Sequence, residues 1–105
     1  MGAVLARQGL SRTAAVFELS SHGALCRYLR RTFARVTFSE LWDDVAPGEF
    51  RGGVQCQDVQ QLTYPDASFD LVTSTEVFEH VPDDRRAFAE VYRVLRPGGR
   101  LVFTV

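Results

Sequence analysis

Three carboxylates recur along the chain at intervals of about 20 residues, each at or just past the end of an apolar run: Glu18, Glu40 and Asp58. An ionised carboxylate is an acceptor only, so it suits the hydroxyl and amino groups of a polar ligand. A fourth cluster, Thr75, Glu76, Glu79 and His80, follows another apolar run. The unperturbed pKa of histidine lies near neutrality, which makes His80 the candidate general base. On a helix Glu76 and Glu79 share a face and His80 sits one turn from Glu76. Two carboxylates and an imidazole can hold a divalent cation. No fourth ligand is visible, however, so no metal is expected. The bland alternative for His80 is packing or hydrogen bonding.

Alternating elements position these groups. Residues 14–19 read as a buried strand that runs into the polar turn Ser20, Ser21, His22 and Gly23. Leu25, Tyr28, Leu29 and Phe33 form one helical face, with Ser21 as the expected N-cap. Residues 35–39 read as a second strand and 54–57 as a weaker third. The stretch between them, 40–53, is broken by Pro47, Gly48, Gly52 and Gly53 and reads as irregular. Residues 69–74 predict a fourth strand. A helix is expected after Pro82, capped by Asp83 or Asp84, with the stripe Phe88, Val91, Tyr92 and Leu95 and a stop at Pro97, Gly98 and Gly99. Residues 100–105 read as a fifth strand. Phe69, Phe78, Phe88 and Phe103 are assigned to the core, and Arg85, Arg86, Arg93 and Arg96 to a solvated helix face.

This alternation predicts an α/β fold: a Rossmann-like, mostly parallel five-stranded sheet with flanking helices. Open parallel sheets bind ligands beyond the carboxyl ends of their strands, near the switch point, where Glu18, Glu40, Asp58 and Thr75 are expected to gather. A carboxylate at the tip of the second strand, as Glu40 is read, can accept both hydroxyls of a ribose. Trp42 is read either as a flank for the base or as core. Asp58 has an alternative as an Asx-turn residue, and Glu18 as a solvated strand-end acid.

The 105 residues suit one small domain, and 46% hydrophobic with 24% charged residues is a globular balance. The net charge of -1, with 12 basic and 13 acidic residues, gives no basic excess for nucleic acid. No apolar stretch reaches the ~20 residues of a membrane span. Cys26 and Cys56 form no disulfide or metal framework, which fits a reducing, cytoplasmic setting. The sequence stops inside an apolar strand. That predicts either a truncated domain or a strand at a sheet edge, and an uncovered edge predicts a homodimer.

Residues 58–105 carry three ordered marks, L-x-x-P-D-x-S-F-D, E-V-F-E-H-V-P-D and R-V-L-R-P-G-G. In these the chain resembles the class I S-adenosylmethionine-dependent methyltransferases, type 11 branch. The resemblance implies the fold above without its last strands and S-adenosyl-L-methionine as cofactor. Glu18, Ser20 and Gly23 would lie at the cofactor's methionine end, Glu40 at the ribose, Asp58 and the Val59 amide at the adenine, and Thr75 at the mouth. E-x-x-E-H is also similar to the metal motif of some O-methyltransferases of that kind. The family's E/D-x-G-x-G-x-G loop reads here as Glu18-Leu19-Ser20-Ser21-His22-Gly23-Ala24, with most glycines replaced. Serine does not take left-handed dihedrals freely, and His22 is large for such a loop.

The resemblance implies methyl transfer to a small-molecule or glycan-like acceptor. The alternative from another class is a non-catalytic remnant of the fold serving as a binding or assembly module. A nicotinamide-binding fragment is disfavoured, because G-x-G-x-x-G is absent after the first strand.

Overall fold

In a computed structural model, which describes residues 11–75, 77 and 81–104, six strands form one sheet flanked by two helices. The elements are β1 (Ala15–Glu18), α1 (Ala24–Thr32), β2 (Arg35–Glu40), β3 (Phe50–Arg51), β4 (Val54–Cys56), β5 (Phe69–Thr75), α2 (Asp84–Val94) and β6 (Leu95–Thr104). The sheet order is β3-β4-β2-β1-β5-β6. All neighbours run parallel except β3 and β4.

The central strand β1 is buried from end to end, and its side chains alternate between two cores. Ala15, Phe17 and Leu19 face one way, against Val72, Ala87, Val91 and Val94, so α2 covers that side. Phe17 also stacks on Phe69 and meets the edge of Tyr64. Ala14 and Val16 face the other way, with Leu71, and there Leu29 and Phe33 belong to the α1 side. The parallel order reverses between β1 and β5, which makes that pair the switch point, as expected.

The sixth strand is the main departure. β3 pairs antiparallel with β4 through Gly52 and Gly53, at φ 58° and 80°, within the stretch read as irregular. Two consecutive left-handed residues are what a tight hairpin turn requires, and Gly-Gly supplies them without a Cβ clash. The N-cap of α1 is Gly23 rather than Ser21, and no side chain caps that helix. Asp83 does cap α2, accepting from the Arg86 amide at 3.2 Å.

The α2 stripe is also shifted. Its buried residues are Ala87, Val91 and Val94, whereas Tyr92 is 84% exposed. Leu95 has left the helix to pair with Phe69, and the Pro97–Gly99 stretch falls in the register break before Arg100 pairs with Leu71. Of the phenylalanines assigned to the core, Phe69 is buried and Phe88 is partly buried against the same cluster, but Phe103 is 42% exposed. Phe103 meets Phe88 edge to face. Phe78 lies outside the described residues. Neither Arg93 nor Arg96 belongs to a merely solvated face: Arg93 pairs with Glu90 and Asp66, and Arg96 with Asp70. Both cysteines are free and buried. No helix among the described residues is long and apolar enough to cross a membrane.

Candidate functional site

The parallel registers bring the predicted carboxylates to one rim. Glu18 ends β1, Glu40 ends β2 opposite Cys56, and Asp58 follows two residues later. The Gln57 amide donates to the Glu40 carbonyl at 2.9 Å, which ties the β2 and β4 tips together. Thr75 ends β5 in register with Thr104. The rim therefore reads Asp58, Glu40, Glu18, Thr75 in the sheet order β4-β2-β1-β5. Strand spacing of about 4.8 Å puts the ends of β4 and β1, two strands apart, roughly 10 Å from each other.

Glu18 is fully buried. Because Glu18 and Thr73 are register partners, their side chains project to the same face, and the Thr73 hydroxyl donates to Glu18 Oε1 at 2.7 Å. Ser39 Oγ donates to the Glu18 carbonyl at 3.1 Å. Glu18 Oε2 has no partner among the described residues. Desolvation pushes the Glu18 pKa up to about 7, and the Glu40 charge adds to it; the hydroxyl of Thr73 and nearby Ser20 offset only part. Ser20 does not reach Oε2 with hydrogen-bond geometry. An orphaned, buried carboxylate oxygen at a strand tip is costly unless a ligand donates to it.

The loop between Glu18 and α1 has one residue of positive φ, and it is its one glycine, which stands one position out of register with the family's loop pattern. Gly23 has φ 105°, whereas Ser20, Ser21 and His22 are free of positive φ. The replaced glycines therefore impose no backbone strain. A Cβ on Gly23 would meet nothing within 4 Å, so its backbone faces open space. His22, exposed, brings Nδ1 to 3.8 Å from Glu40 Oε2, and Ser20 Oγ lies 3.4 Å from the Cys26 thiol.

Asp58 opens a turn. Its Oδ1 accepts from the Gln60 amide at 2.9 Å, and its carbonyl accepts from the Gln61 amide at 2.9 Å. Val59 is buried in the core on the α2 side. A cavity of about 220 Å³ opens beside this turn, lined by Pro47, Asp58, Gln61, Leu62 and Thr63. Trp42 is half-buried, with the Arg51 guanidinium over its ring at 4.9 Å. A second cavity, of about 440 Å³, lies at the opposite end of the strands, lined by residues that include Thr13, Arg35, Asp70 and Arg96.

Glu76, Glu79 and His80 lie outside the described residues, and so do the base and metal readings placed on them. Sequence reasoning missed Thr73 and Ser39, which hold Glu18. Their polarity inside apolar strands was the available signal, but only the strand register shows what they touch.

Strands ordered about a central switch point, with acids on adjacent carboxyl tips, define a class I methyltransferase fold. The Methyltransferase domain family (Methyltransf_11) matches residues 19–103, and the chain belongs to it. It is 34% identical over 91 residues to the ubiquinone biosynthesis O-methyltransferase of Coxiella burnetii, covering 82% of this chain and 36% of that one. It is 52% identical over 44 residues to the 27-O-demethylrifamycin SV methyltransferase of Amycolatopsis mediterranei, covering 42% of this chain and 16% of that one. The solved S-adenosylmethionine-dependent methyltransferase of Mesorhizobium loti superposes with a TM-score of 0.67 at 26% identity, over 95% of this chain and 51% of that one. The YcgJ protein of Bacillus subtilis superposes at 0.74 with 18% identity, over 97% and 48%, and shows the fold alone. The chain thus spans about a third of the length of the first of these relatives and about half of the two solved structures. The cofactor of this family is S-adenosylmethionine, and the orphaned Glu18 oxygen, the open Gly23 backbone and the row of acids fit such a cation.

Proposed function

We propose that the protein takes part in S-adenosylmethionine-dependent methyl transfer to a small molecule with an oxygen, nitrogen or carbon nucleophile. The observation that carries this reading is the row Asp58, Glu40 and Glu18 on three adjacent strand tips, with one buried carboxylate oxygen left for a donor. S-adenosylmethionine, when bound, supplies an electrophilic methyl on a sulfonium whose neutral thioether leaves readily. Asp58 accepts from the adenine amino group while the Val59 amide meets a ring nitrogen. Glu40 accepts the ribose hydroxyls. Glu18, with Ser20 and the Gly23 backbone, receives the methionine end, and Thr75 borders the mouth. The chain's own work is then positioning and exclusion of water. A base is needed only where the nucleophile arrives protonated, and His80 is the residue assigned to it.

The relatives that match are named for quinone and antibiotic O- and C-methylation. They support a quinone-like or antibiotic-like small molecule as acceptor class. A cytoplasmic site of action and a homodimer through the outer edge of β6, where the sheet ends among the described residues, complete the proposal.

The test is calorimetric titration of the full chain with S-adenosylmethionine and S-adenosylhomocysteine, followed by methyl transfer to phenol, catechol and hydroquinone acceptors. Saturable binding with turnover on one acceptor is expected. No binding at millimolar ligand overturns the reading in favour of a binding or assembly module. A monomeric mass by sedimentation ends the homodimer.

A further inference from the structure

We infer that Glu90 and Arg93 of α2 are positioning residues that set the Asp58 turn against the adenine, an inference that rests on the function proposed above. The segment from Gln57 to Asp66 contains neither helix nor strand, yet its backbone is tied at many points. Three of those ties come from one pair of side chains. Glu90 Oε1 accepts from the Leu62 amide at 2.8 Å. Arg93 Nη2 donates to the Leu62 carbonyl at 3.2 Å, so α2 grips that peptide unit's residue from both sides. Arg93 Nη1 donates to the Tyr64 carbonyl at 2.8 Å and to Asp66 Oδ1 at 2.9 Å. Nε and Nη2 complete the fork on Glu90, at 2.7 Å and 3.1 Å.

All five guanidinium donors are thereby used, one oxygen each. An ammonium has three donors and no fork, so lysine cannot reproduce the arrangement. The charges reinforce one another: Arg93 and the Leu62 amide hold the Glu90 carboxyl below its usual range, and Glu90 and Asp66 raise the arginine.

The residue gripped is the one that matters for the ligand. Leu62 follows directly on the turn that opens at Asp58, and both line the same cavity. Gln60 supplies a second tie, accepting the Asp83 amide at 3.2 Å at the start of α2 while its Nε2 reaches Asp58 Oδ1 at 3.5 Å. Gln57 holds Thr63 through both ends of its amide, at 2.6 Å and 3.1 Å. A short loop anchored this way presents Asp58 Oδ2 and the Val59 amide at a fixed place. A displacement of 1 Å in such a contact can cost on the order of 100-fold.

The experiment reads base discrimination in the full chain. S-adenosylhomocysteine and S-inosylhomocysteine differ at the exocyclic position, where an amino donor becomes an oxygen acceptor that opposes a carboxylate. The wild-type chain is expected to prefer the adenine form by roughly 100-fold, since an acceptor then faces an acceptor. In Arg93→Lys and Glu90→Gln the preference falls below about 10-fold, while discrimination against the 2′-deoxy ligand, set at Glu40, stays within about 2-fold of wild type. Asp58→Asn is measured alongside. Loss of base discrimination in Asp58→Asn and in the α2 variants supports the inference. Loss in Asp58→Asn alone overturns it and leaves the Asp58 assignment standing. Unchanged discrimination in Asp58→Asn overturns both. Equal loss of base and 2′-hydroxyl discrimination shows general loosening and also overturns it. Should Arg93→Lys fail to fold, Glu90→Gln reads the same effect, because its amide nitrogen opposes an Arg93 donor and breaks the fork while the carbonyl oxygen keeps an acceptor for the Leu62 amide and so spares the fold.

Discussion

The two ends of the sheet treat carboxylates in opposite ways. At the amino-terminal end, Asp70 Oδ2 accepts from the Ala15 amide and from Arg96 Nη1, each at 2.8 Å. The amide, then the arginine, hold its pKa below the usual range. At the carboxyl end Glu18 is buried among hydroxyls, and burial raises its pKa to about 7. The first acid is a strut: it fixes where β1 starts and joins β6 to β5. The second has one oxygen without a partner among the described residues, as expected of the ligand-binding acid proposed above. The contrast separates a structural carboxylate from one proposed to bind by what satisfies it, which residue type alone does not reveal.

The largest effect that tests this contrast is the pH dependence of stability in Glu18→Gln. The folded Glu18 retains its proton up to about pH 7, whereas the unfolded chain releases it near 4.5. Stability is therefore intact below pH 4.5 and falls as pH rises from there to 7, by about 3 kcal/mol. Urea melts of Glu18→Gln should gain about that much over wild type at pH 8 and almost nothing at pH 4.5. A gain independent of pH breaks the contrast. S-adenosylhomocysteine should bind Glu18→Gln more weakly even as the fold gains.

Asp70→Ala should do the reverse. It strips the Ala15 amide and Arg96 of their acceptor and costs about 2 kcal/mol at pH 7. Because the Asp70 pKa is depressed, this contribution is present above about pH 4 and disappears as pH falls through its folded pKa. Calorimetry should find ligand affinity unchanged, and a tenfold loss would mean that the two ends are coupled.

Gly23→Ala should have the smallest effect, about 1 kcal/mol in a thermal melt, since only the backbone at φ 105° resists and no atom crowds the new methyl. Ser20→Gly and His22→Gly should not stabilise the loop, because neither position has a left-handed φ. A clear gain from either would show that the replaced glycines were a burden.

What could be read from sequence follows from how local each signal is. Alternating apolar runs placed the parallel strands, and Asp83 after Pro82 marked the α2 start, because these depend on neighbours within a few residues. β3 is only two residues long, too short for any period, and its signal was the Gly52-Gly53 turn itself. The α2 stripe shifted because Leu95 pairs with Phe69, a partner 26 positions earlier in the chain that no helical wheel contains. The acids at the strand tips were legible as types and spacings. That Glu18 is buried and orphaned, whereas Asp70 is paired, depends on register and on Arg96, which sequence reading assigned to solvent. The Glu90 and Arg93 spacing was visible, but the Leu62 peptide that they hold lies in a turn-rich stretch with no periodic mark.

In the function proposed above, the carboxyl rim, and not the arginine-lined end, receives the nucleoside. A crystal structure of the full chain with S-adenosylhomocysteine tests it most directly. The expected result is the adenine at Asp58 and the Val59 amide, the ribose hydroxyls on Glu40, and the ligand's amino group donating to Glu18 Oε2. Density for the ligand in the cavity beside Arg35 and Arg96, or with its adenine turned away from Asp58, would contradict it.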